Sequence, residues 1–227
     1  MDPIALARAA DENLATHFTW IQSHTPGMRV ERAADLLVTI SGLPSDNFNA
    51  ACGARIDPDQ ADRRVPEWLR WLERNAAPFA WWVGITDQPA DLGQRLLAAG
   101  LRLSEREIDM AVNLSGHRST GSEAESSRGA AVSSADLTIR RARTRAAIAD
   151  FATVTMTNYA PRDPSVETFY ARATDALLTD EAPCWCYVGY LDEVPVACLQ
   201  VTWAEAWPAS TTWRRWRPIV ARAMPPR

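Results

Sequence analysis

The chain contains four cysteines, whose thiols are the side chains best suited to metal or redox chemistry. Cys184 and Cys186 flank Trp185, so in a strand both thiols would lie on one face and could reach the same metal ion. Around Cys52 and Cys198, neither a second pair nor a nearby histidine completes a ligand set. We therefore interpret all four as ordinary strand cysteines, with a metal site or a disulfide as the less favoured alternative.

Side chains that perform acid–base chemistry occur singly or where turns are expected. His17 lies within a helical pattern, His24 follows that pattern, and His117 lies in a polar segment, each without a visible nucleophile or metal partner. Asp192 and Glu193 are adjacent carboxylates between two apolar runs, a position typical of turn residues. We interpret these two residues as a turn and not as a paired acid and base.

Length, charge and hydropathy restrict the classes of function. The 227 residues suffice for one large domain or two small ones. A formal net charge of −4 gives no overall basic field, so we do not expect a nucleic-acid partner. No apolar run approaches the roughly 20 residues that cross a bilayer, and the first residues are charged and helical rather than signal-like. We expect a cytoplasmic protein with no membrane partner.

A polar segment separates the elements that would position a site. Residues 115–135 are rich in Ser, Gly and charge and nearly free of large apolar residues, which predicts a linker. The unit before it, residues 1–114, begins with an amphipathic helix over Ile4–Gln22. Strands are predicted at Arg29–Arg32, Leu36–Ser41 and Asn47–Ile56, followed by a helix in "QADRRVPEWLRWLERN". Then come a strand buried on both faces, "PFAWWVGI", a helix ended by Gly100, and a returning strand, "LRLSEREIDMAVNL".

The unit after the linker, residues 136–206, has a simple predicted order. The strand "LTIRRART" leads into a helix for which Thr144 is a plausible N-cap. A second helix begins near Asp163, where Pro164 suits the first helical position. Two apolar runs, "CWCYVGYL" and "VPVACLQVTW", then form a β-hairpin. The predicted order is strand, helix, helix, hairpin.

That order, with "LTIRRARTRAAIADF" at its start and "YVGYLDEVPVACLQV" at its hairpin, resembles the GNAT superfamily of N-acyltransferases. The likeness covers nearly all of Asp136–Trp203. In the first unit, "PADLGQRLLAAGLRLSEREIDMAVNL" resembles the last helix of that family and the strand after it. The resemblance implies an α/β (α+β) fold of two GNAT-like units, each a mixed sheet flanked by helices. The first unit would be a degenerate copy and the second an incomplete one.

The resemblance also implies an activity, the transfer of an acetyl group from acetyl-CoA to an amine of a small molecule or peptide, with no metal. Members of the family bind the pyrophosphate of acetyl-CoA with a loop of pattern Arg/Gln-x-x-Gly-x-Gly/Ala at a helix start. Neither unit contains this loop, and no glycine follows Gly189. We therefore assign no catalytic or cofactor-binding residue. The alternative function is a catalytically inactive, acyltransferase-like binding module, or a truncated product, that does not bind acetyl-CoA.

Candidates for an acceptor pocket follow from the same resemblance, because the family often places acceptor-binding residues between its first two helices. The candidates are Tyr159, Glu167, Phe169 and Tyr170, together with Trp81 and Trp82 of the first unit. For Tyr159 the alternative is a half-buried tyrosine with a hydrated hydroxyl. For the two tryptophans the favoured alternative is packing between a sheet and its helices.

The last segment, residues 207–227, reads "WPASTTWRRWRPIVARAMPPR" and has neither a helix nor a strand period. It lies where the resemblance requires a fourth strand and the pyrophosphate loop. A shifted reading frame, with synonymous codons chosen, spells "VAGIYNVATLATDRRAGHAA", in which "RRAGHA" fits the loop. We therefore hypothesise a frame-shifted tail; the alternative is a genuine basic extension for an acidic partner or nucleic acid. Without the fourth strand, the strand Val194–Trp203 is expected to have an unpaired edge.

Overall fold

The computed structural model describes residues 2–76, 78–106 and 137–204, together with the backbone of residues 216–217. In these ranges the chain forms five α-helices and two four-stranded sheets, so the fold is α+β. The predicted linker, His117 and most of the tail lie outside the described residues. We call residues 2–106 the N-terminal half and residues 137–217 the C-terminal half.

Helix α1 (Pro3–Ser23) opens the N-terminal half, as predicted. The carboxylate of Asp2 caps it by accepting a hydrogen bond from the Ile4 N–H at 3.1 Å. The buried face of the helix differs from the apolar one that its sequence suggests. Ile4 is 59% exposed, whereas Gln22 is buried at the other end of the helix. A polar side chain therefore enters the interior near the C-terminus of α1.

The first sheet has the strand order β1-β2-β3-β4. Its strands are Arg29–Arg32, Leu37–Ile40, Ala50–Cys52 and Ala80–Trp81. The first three strands are antiparallel, and β3 is parallel to β4, which the chain reaches through helix α2 (Ala61–Asn75). Helix α3 (Leu92–Ala98) follows. The buried residues Val65, Leu69 and Leu72 of α2 share one core with the sheet, because their spacing places them on one helical face.

The prediction that "PFAWWVGI" forms a strand buried on both faces is wrong. Only Ala80–Trp81 belongs to β4, and Val83 and Ile85 are 50% and 72% exposed. In the described sheet β4 is an edge strand with β3 as its neighbour. The Gly84 N–H then donates to the Asp87 carboxylate at 3.0 Å, which forms a turn and ends the strand.

Two other strand predictions for the N-terminal half need correction. The third strand, predicted over Asn47–Ile56, is limited to Ala50–Cys52. It ends at Gly53, whose φ of 65° is incompatible with a continuing strand. Residues 101–106 form no strand, and the remainder of the predicted strand "LRLSEREIDMAVNL" lies outside the described residues.

The C-terminal half begins with β5 (Thr138–Arg141) and two helices, α4 (Arg145–Met156) and α5 (Ser165–Leu177). The predicted N-cap of α4 is confirmed, because the Thr144 side chain accepts a hydrogen bond from the Ala147 N–H at 3.2 Å. At the start of α5, the Asp163 carboxylate accepts from the Ser165 N–H at 2.8 Å. The chain therefore follows the predicted order of strand, helix and helix.

The predicted hairpin is present as β6 (Cys184–Leu191) and β7 (Val194–Thr202). Asp192 and Glu193 form its turn with φ values of 48° and 60°, which confirms their interpretation as turn residues. The backbone of Trp216–Arg217 forms a short strand, β8, antiparallel to β7. The expectation of an unpaired β7 edge is therefore corrected at Gln200 and Val201, which pair with β8.

The two sheets have related but unequal topologies. In each, a helix precedes a hairpin, and a third antiparallel strand follows it: α1 with β1, β2 and β3, and α5 with β6, β7 and β8. The described N-terminal half continues into α2, β4 and α3, whereas the C-terminal half has β5 and α4 ahead of the shared elements. The described parts of the two halves therefore share the order helix, hairpin, strand. They differ in the elements that precede and follow that order.

One hydrophobic core connects the halves. Ile21 of α1, together with Met28, Leu43 and Phe48, packs in the same buried cluster as α4, α5 and β6. Polar contacts reinforce this junction, since Asn47 donates to the Asp163 carboxylate at 2.9 Å. The junction therefore places side chains of both halves around a shared interior space.

Candidate binding site between the two halves

A small cavity of about 90 Å³ lies where α1 meets α4, α5 and β7. We call it the junction cavity. Its lining from the N-terminal half includes His17, Gln22 and Phe48, and from the C-terminal half Tyr159, Phe169, Tyr170 and Gln200. Pockets that enclose drug-sized ligands measure about 300–1,000 Å³. The junction cavity therefore admits a small head group and not a whole cofactor.

Aromatic side chains form much of the cavity wall. Phe48 and Phe169 stack across the junction with ring centroids 4.0 Å apart and planes 9° from parallel. The Tyr170 ring contacts Phe48 edge-on at 6.4 Å and Phe151 at 5.0 Å. These contacts hold the rings in place, so the apolar wall is formed before any ligand arrives.

Two buried glutamines are among the residues that line the same cavity. Gln22 is 2% exposed, and its Nε2 donates to the Phe48 carbonyl at 2.8 Å. Among the described residues, its Oε1 has no hydrogen-bond partner. Gln200 is 3% exposed, and its Oε1 accepts from the Tyr170 hydroxyl at 3.0 Å. An unpaired buried acceptor costs about 1–3 kcal/mol, and Gln22 Oε1 is itself covered by protein, so it lowers stability and is not open to a ligand in the cavity.

The Gln200 amide is buried as well. Its Nε2 also has no hydrogen-bond partner among the described residues. However, this amide is close enough to the Cys184 thiol to lower the pKa that burial otherwise raises.

Negative charge surrounds the Tyr159 side of the cavity. Burial raises the pKa of Tyr159, and the carboxylates of Asp163, Glu105 and Asp46 raise it further. Its hydroxyl is therefore protonated at neutral pH. Burial alone would raise the pKa of Asp163, but hydrogen bonds from Ser45 and other donors together lower it, so this carboxylate stays charged.

The predicted acceptor-pocket residues separate into two groups. Tyr159, Phe169 and Tyr170 line the junction cavity together. Glu167 is exposed in the first turn of α5 and does not line the cavity. The remaining two candidates, Trp81 and Trp82, belong to the N-terminal half.

Trp81 and Trp82 lie near the first sheet. Trp81 packs against the core of that sheet, in agreement with the favoured packing interpretation. Trp82 contacts Phe18 of α1 with ring centroids 5.3 Å apart. Phe18 also lines the junction cavity, so Trp82 contacts a residue of the cavity wall.

Sequence reasoning missed His17, Gln22, Phe48 and Gln200 as site residues. A usable signal was present for the glutamines. Gln200 occupies an inward position of β7 between the buried residues Cys198 and Thr202, where apolar side chains are usual. Phe48 had no comparable signal, since it lies outside regular secondary structure.

A second, larger space is an open groove of about 510 Å³ beside the start of α1. Its lining combines opposite charges, with Arg8 and Arg55 opposed by Glu12. Arg55 also lies 3.4 Å from the buried Asp87 carboxylate and donates to the Thr86 carbonyl. The mixed charge selects neither an anion nor a cation, so we favour the junction cavity as the binding site.

The N-terminal half lacks the pyrophosphate loop that the resemblance implies. Backbone hydrogen bonds join the segment that follows β3 to the segment that follows β4. Gln88 N–H donates to the Ala54 carbonyl at 3.0 Å, and Ile56 N–H donates to the Gln88 carbonyl at 3.2 Å. At the turn before α2, the Asp57 carboxylate accepts from the Asp59 N–H, which would repel a phosphate.

The four cysteines lie in strands as predicted, and all are buried and unlinked. Burial raises the pKa of Cys52 to about 12 and that of Cys184 to about 11, so both thiols are protonated and unreactive at neutral pH. Within the described ranges, no group of three or more His, Cys, Asp or Glu side chains could hold a metal ion. No helix in those ranges is long and apolar enough to cross a bilayer.

Comparison of the chain with protein-family models, with curated proteins and with solved structures finds no match.

Proposed function

We propose that this protein is related to N-acyltransferases of the GNAT type, that acyl transfer requires the reading frame restored after Val201, and that the junction cavity holds the amine acceptor. The observation that supports the proposal most directly is that Tyr159, Phe169 and Tyr170 line one cavity. The strand, helix, helix and hairpin order of the C-terminal half agrees with the sequence resemblance. The finer assignment to two GNAT-like units is part of the same proposal.

The cavity residues have complementary roles in holding an acceptor. The aromatic wall receives the carbon part of the acceptor. Tyr159 remains protonated, so its hydroxyl can donate a proton or a hydrogen bond at the edge of the cavity. Acetyl-CoA, when bound, supplies the thioester that an amine attacks.

The described residues do not fit acetyl-CoA itself. Its diphosphate requires several convergent backbone N–H donors at a helix start. In the N-terminal half the strands stay joined and the turn before α2 is acidic. In the C-terminal half no glycine follows Gly189, so a glycine-bearing loop is missing from the sequence there. The second candidate function is therefore an inactive binding module that retains only the acceptor site.

Calorimetric titration with acetyl-CoA, together with an assay of acetyl transfer to a panel of small amines, separates these functions. We expect this chain to bind acetyl-CoA weakly or not at all. A variant translated in the shifted frame after Val201 is expected to bind it and to transfer the acetyl group. If that variant binds no acetyl-CoA, the acyltransferase proposal is wrong. Micromolar binding by the unchanged chain would refute our account of the missing loop.

A further inference from the structure

We infer that the open groove beside the start of α1 is a second binding site, for a free α-amino acid with an aliphatic side chain. Its carboxylate meets Arg55 and Arg8, and its ammonium meets Glu12. The groove measures about 510 Å³, within the range of pockets that enclose a small ligand. It shares no lining residue with the junction cavity. The inference therefore does not rest on the proposed acyltransferase function.

The first step is the fixed guanidinium of Arg55. Its Nη1 donates to the carbonyl of Ala54 at 2.9 Å and to that of Thr86 at 3.2 Å, and lies 3.4 Å from the buried Asp87 carboxylate. Its Nη2 donates to the Thr86 hydroxyl at 3.3 Å. Thr86 is in turn fixed to α1, because its N–H and its hydroxyl both donate to the Asp11 carboxylate. The guanidinium is therefore positioned before any ligand binds.

The second step concerns the N–H groups of Arg55 that remain available. A guanidinium has five N–H donors. Among the described residues, the Nε–H has no hydrogen-bond partner and Nη2 donates only one hydrogen bond. The side chain is 46% exposed and lines the groove, so a ligand in the groove can approach these two nitrogens. Neighbouring donors on a fixed arginine suit the two oxygens of one carboxylate.

The third step is a pair of opposite charges on α1. Arg8 and Glu12 are both exposed, line the groove and lie one helical turn apart. Within the described ranges neither side chain forms an ion pair. A ligand with a single charge is attracted by one of these side chains and repelled by the other. An α-amino acid carries both charges on one carbon, so its carboxylate can contact Arg8 while its ammonium contacts Glu12.

The fourth step is the apolar part of the groove. Ile4 and Ile85 line it together with Pro3 and Ala7. Ile4 is 59% exposed and Ile85 is 72% exposed, so a ligand that covers them removes apolar surface from water. An aliphatic side chain provides that cover. The ligand class that meets the charge and the apolar requirements together is an aliphatic α-amino acid.

Titration of the full chain with L-leucine, followed by NMR of the Arg55 Nε–H signal, tests the inference. Three matched ligands each lack one part of leucine: 4-methylpentanoate lacks the ammonium, 3-methylbutylammonium lacks the carboxylate, and glycine lacks the side chain. We expect leucine to shift the Arg55 signal and to bind at least about fivefold tighter than each of the three. Equal binding of leucine and any one of them would overturn the inference, as would failure of leucine to bind.

Variants at exposed positions locate the two charges of the ligand. Glu12→Gln is expected to weaken leucine binding about threefold and not to weaken binding of 4-methylpentanoate, which has no ammonium. Arg8→Gln is expected to weaken leucine binding about threefold and not to weaken binding of 3-methylbutylammonium. Glu73→Gln and Arg172→Gln, at exposed positions that do not line the groove, are the matched controls and should leave leucine affinity unchanged. Unchanged leucine affinity in Glu12→Gln or in Arg8→Gln would overturn the assignment of that contact and with it the inference.

Discussion

At the residue scale, the hydrogen bond between Tyr170 and Gln200 carries a measurable stability contribution. Tyr170→Phe removes the hydroxyl that donates to Gln200 Oε1 at 3.0 Å and leaves a buried acceptor unpaired. We expect the free energy of unfolding, measured in urea, to fall by about 1–3 kcal/mol. Tyr187→Phe is the matched control, at a half-buried position of the sheet that contains Gln200. It should change the free energy of unfolding by less than about 0.5 kcal/mol. Equal losses in the two variants would contradict the assignment.

A second residue-scale prediction concerns Asp87, whose side chain is 1% exposed. Burial raises its pKa to about 6 from the ordinary 3.8; the Gly84 N–H opposes that shift, and the neighbouring Asp11 adds to it. Between pH 4 and 6 the folded state therefore holds a proton that the unfolded chain has released. The contribution of Asp87 to the free energy of unfolding then decreases as pH rises, by up to about 1.4 kcal/mol per pH unit, and levels off above pH 6.

Comparison of the native chain with Asp87→Asn over pH 4–8 tests this dependence. The difference in unfolding free energy isolates Asp87, because the other carboxylates are common to both proteins. We expect the native chain to lose stability relative to the variant as pH rises toward about 6. A difference that stays constant from pH 4 to pH 8 would show that Asp87 titrates normally.

At the scale of elements, the start of helix α4 depends on Thr144. Its side chain accepts from the Ala147 N–H at 3.2 Å and satisfies one of the free donors of the first turn. Thr144→Ala should lower the free energy of unfolding by about 1 kcal/mol. Thr153→Ala, at an exposed position inside the same helix, should raise it by a few tenths of a kcal/mol through helix propensity. The opposite signs make thermal unfolding a sufficient measurement, and an unchanged stability of Thr144→Ala would reject the cap.

The length of strand β4 depended on its neighbours in space and not on its own sequence. "PFAWWVGI" has the continuous apolar run of a central strand, yet β4 contributes only Ala80–Trp81 and lies at the sheet edge. Val83 and Ile85 lie beyond Trp81, the last residue of β4, and are exposed. Apolar content alone could not distinguish a central strand from a short edge strand, because both produce the same local pattern.

At the scale of the whole molecule, the stack of Phe48 on Phe169 couples the two halves. Its ring centroids lie 4.0 Å apart, between residues on opposite sides of the junction. In a double-mutant cycle with Phe48→Leu and Phe169→Leu, we expect a coupling energy of about 0.5–1.5 kcal/mol. Strictly additive effects in urea unfolding would show that the halves do not stabilise each other through this pair.

The sequence by itself determined the features whose causes lie within a few residues. Thr144 and the Ala147 N–H are three residues apart, and Asp192 and Glu193 form a turn between strands that are adjacent in the chain. The helical pattern of α1 and the apolar runs of β6 and β7 are equally local. Such features were predicted because capping, turn geometry and side-chain periodicity depend on nearby residue types.

Only the tertiary structure decided the junction cavity. Gln22 meets the Phe48 carbonyl 26 residues away, Tyr170 meets Gln200 across 30 residues, and Asn47 meets Asp163 across 116 residues. The resemblance pointed to Tyr159, Phe169 and Tyr170, but nothing in their neighbourhood in the chain indicated that α1 would complete the cavity. Long-range contacts depend on how the helices and sheets pack together, and a single sequence records that packing only as an unusual polar residue, such as Gln200, at a position that the local pattern would bury.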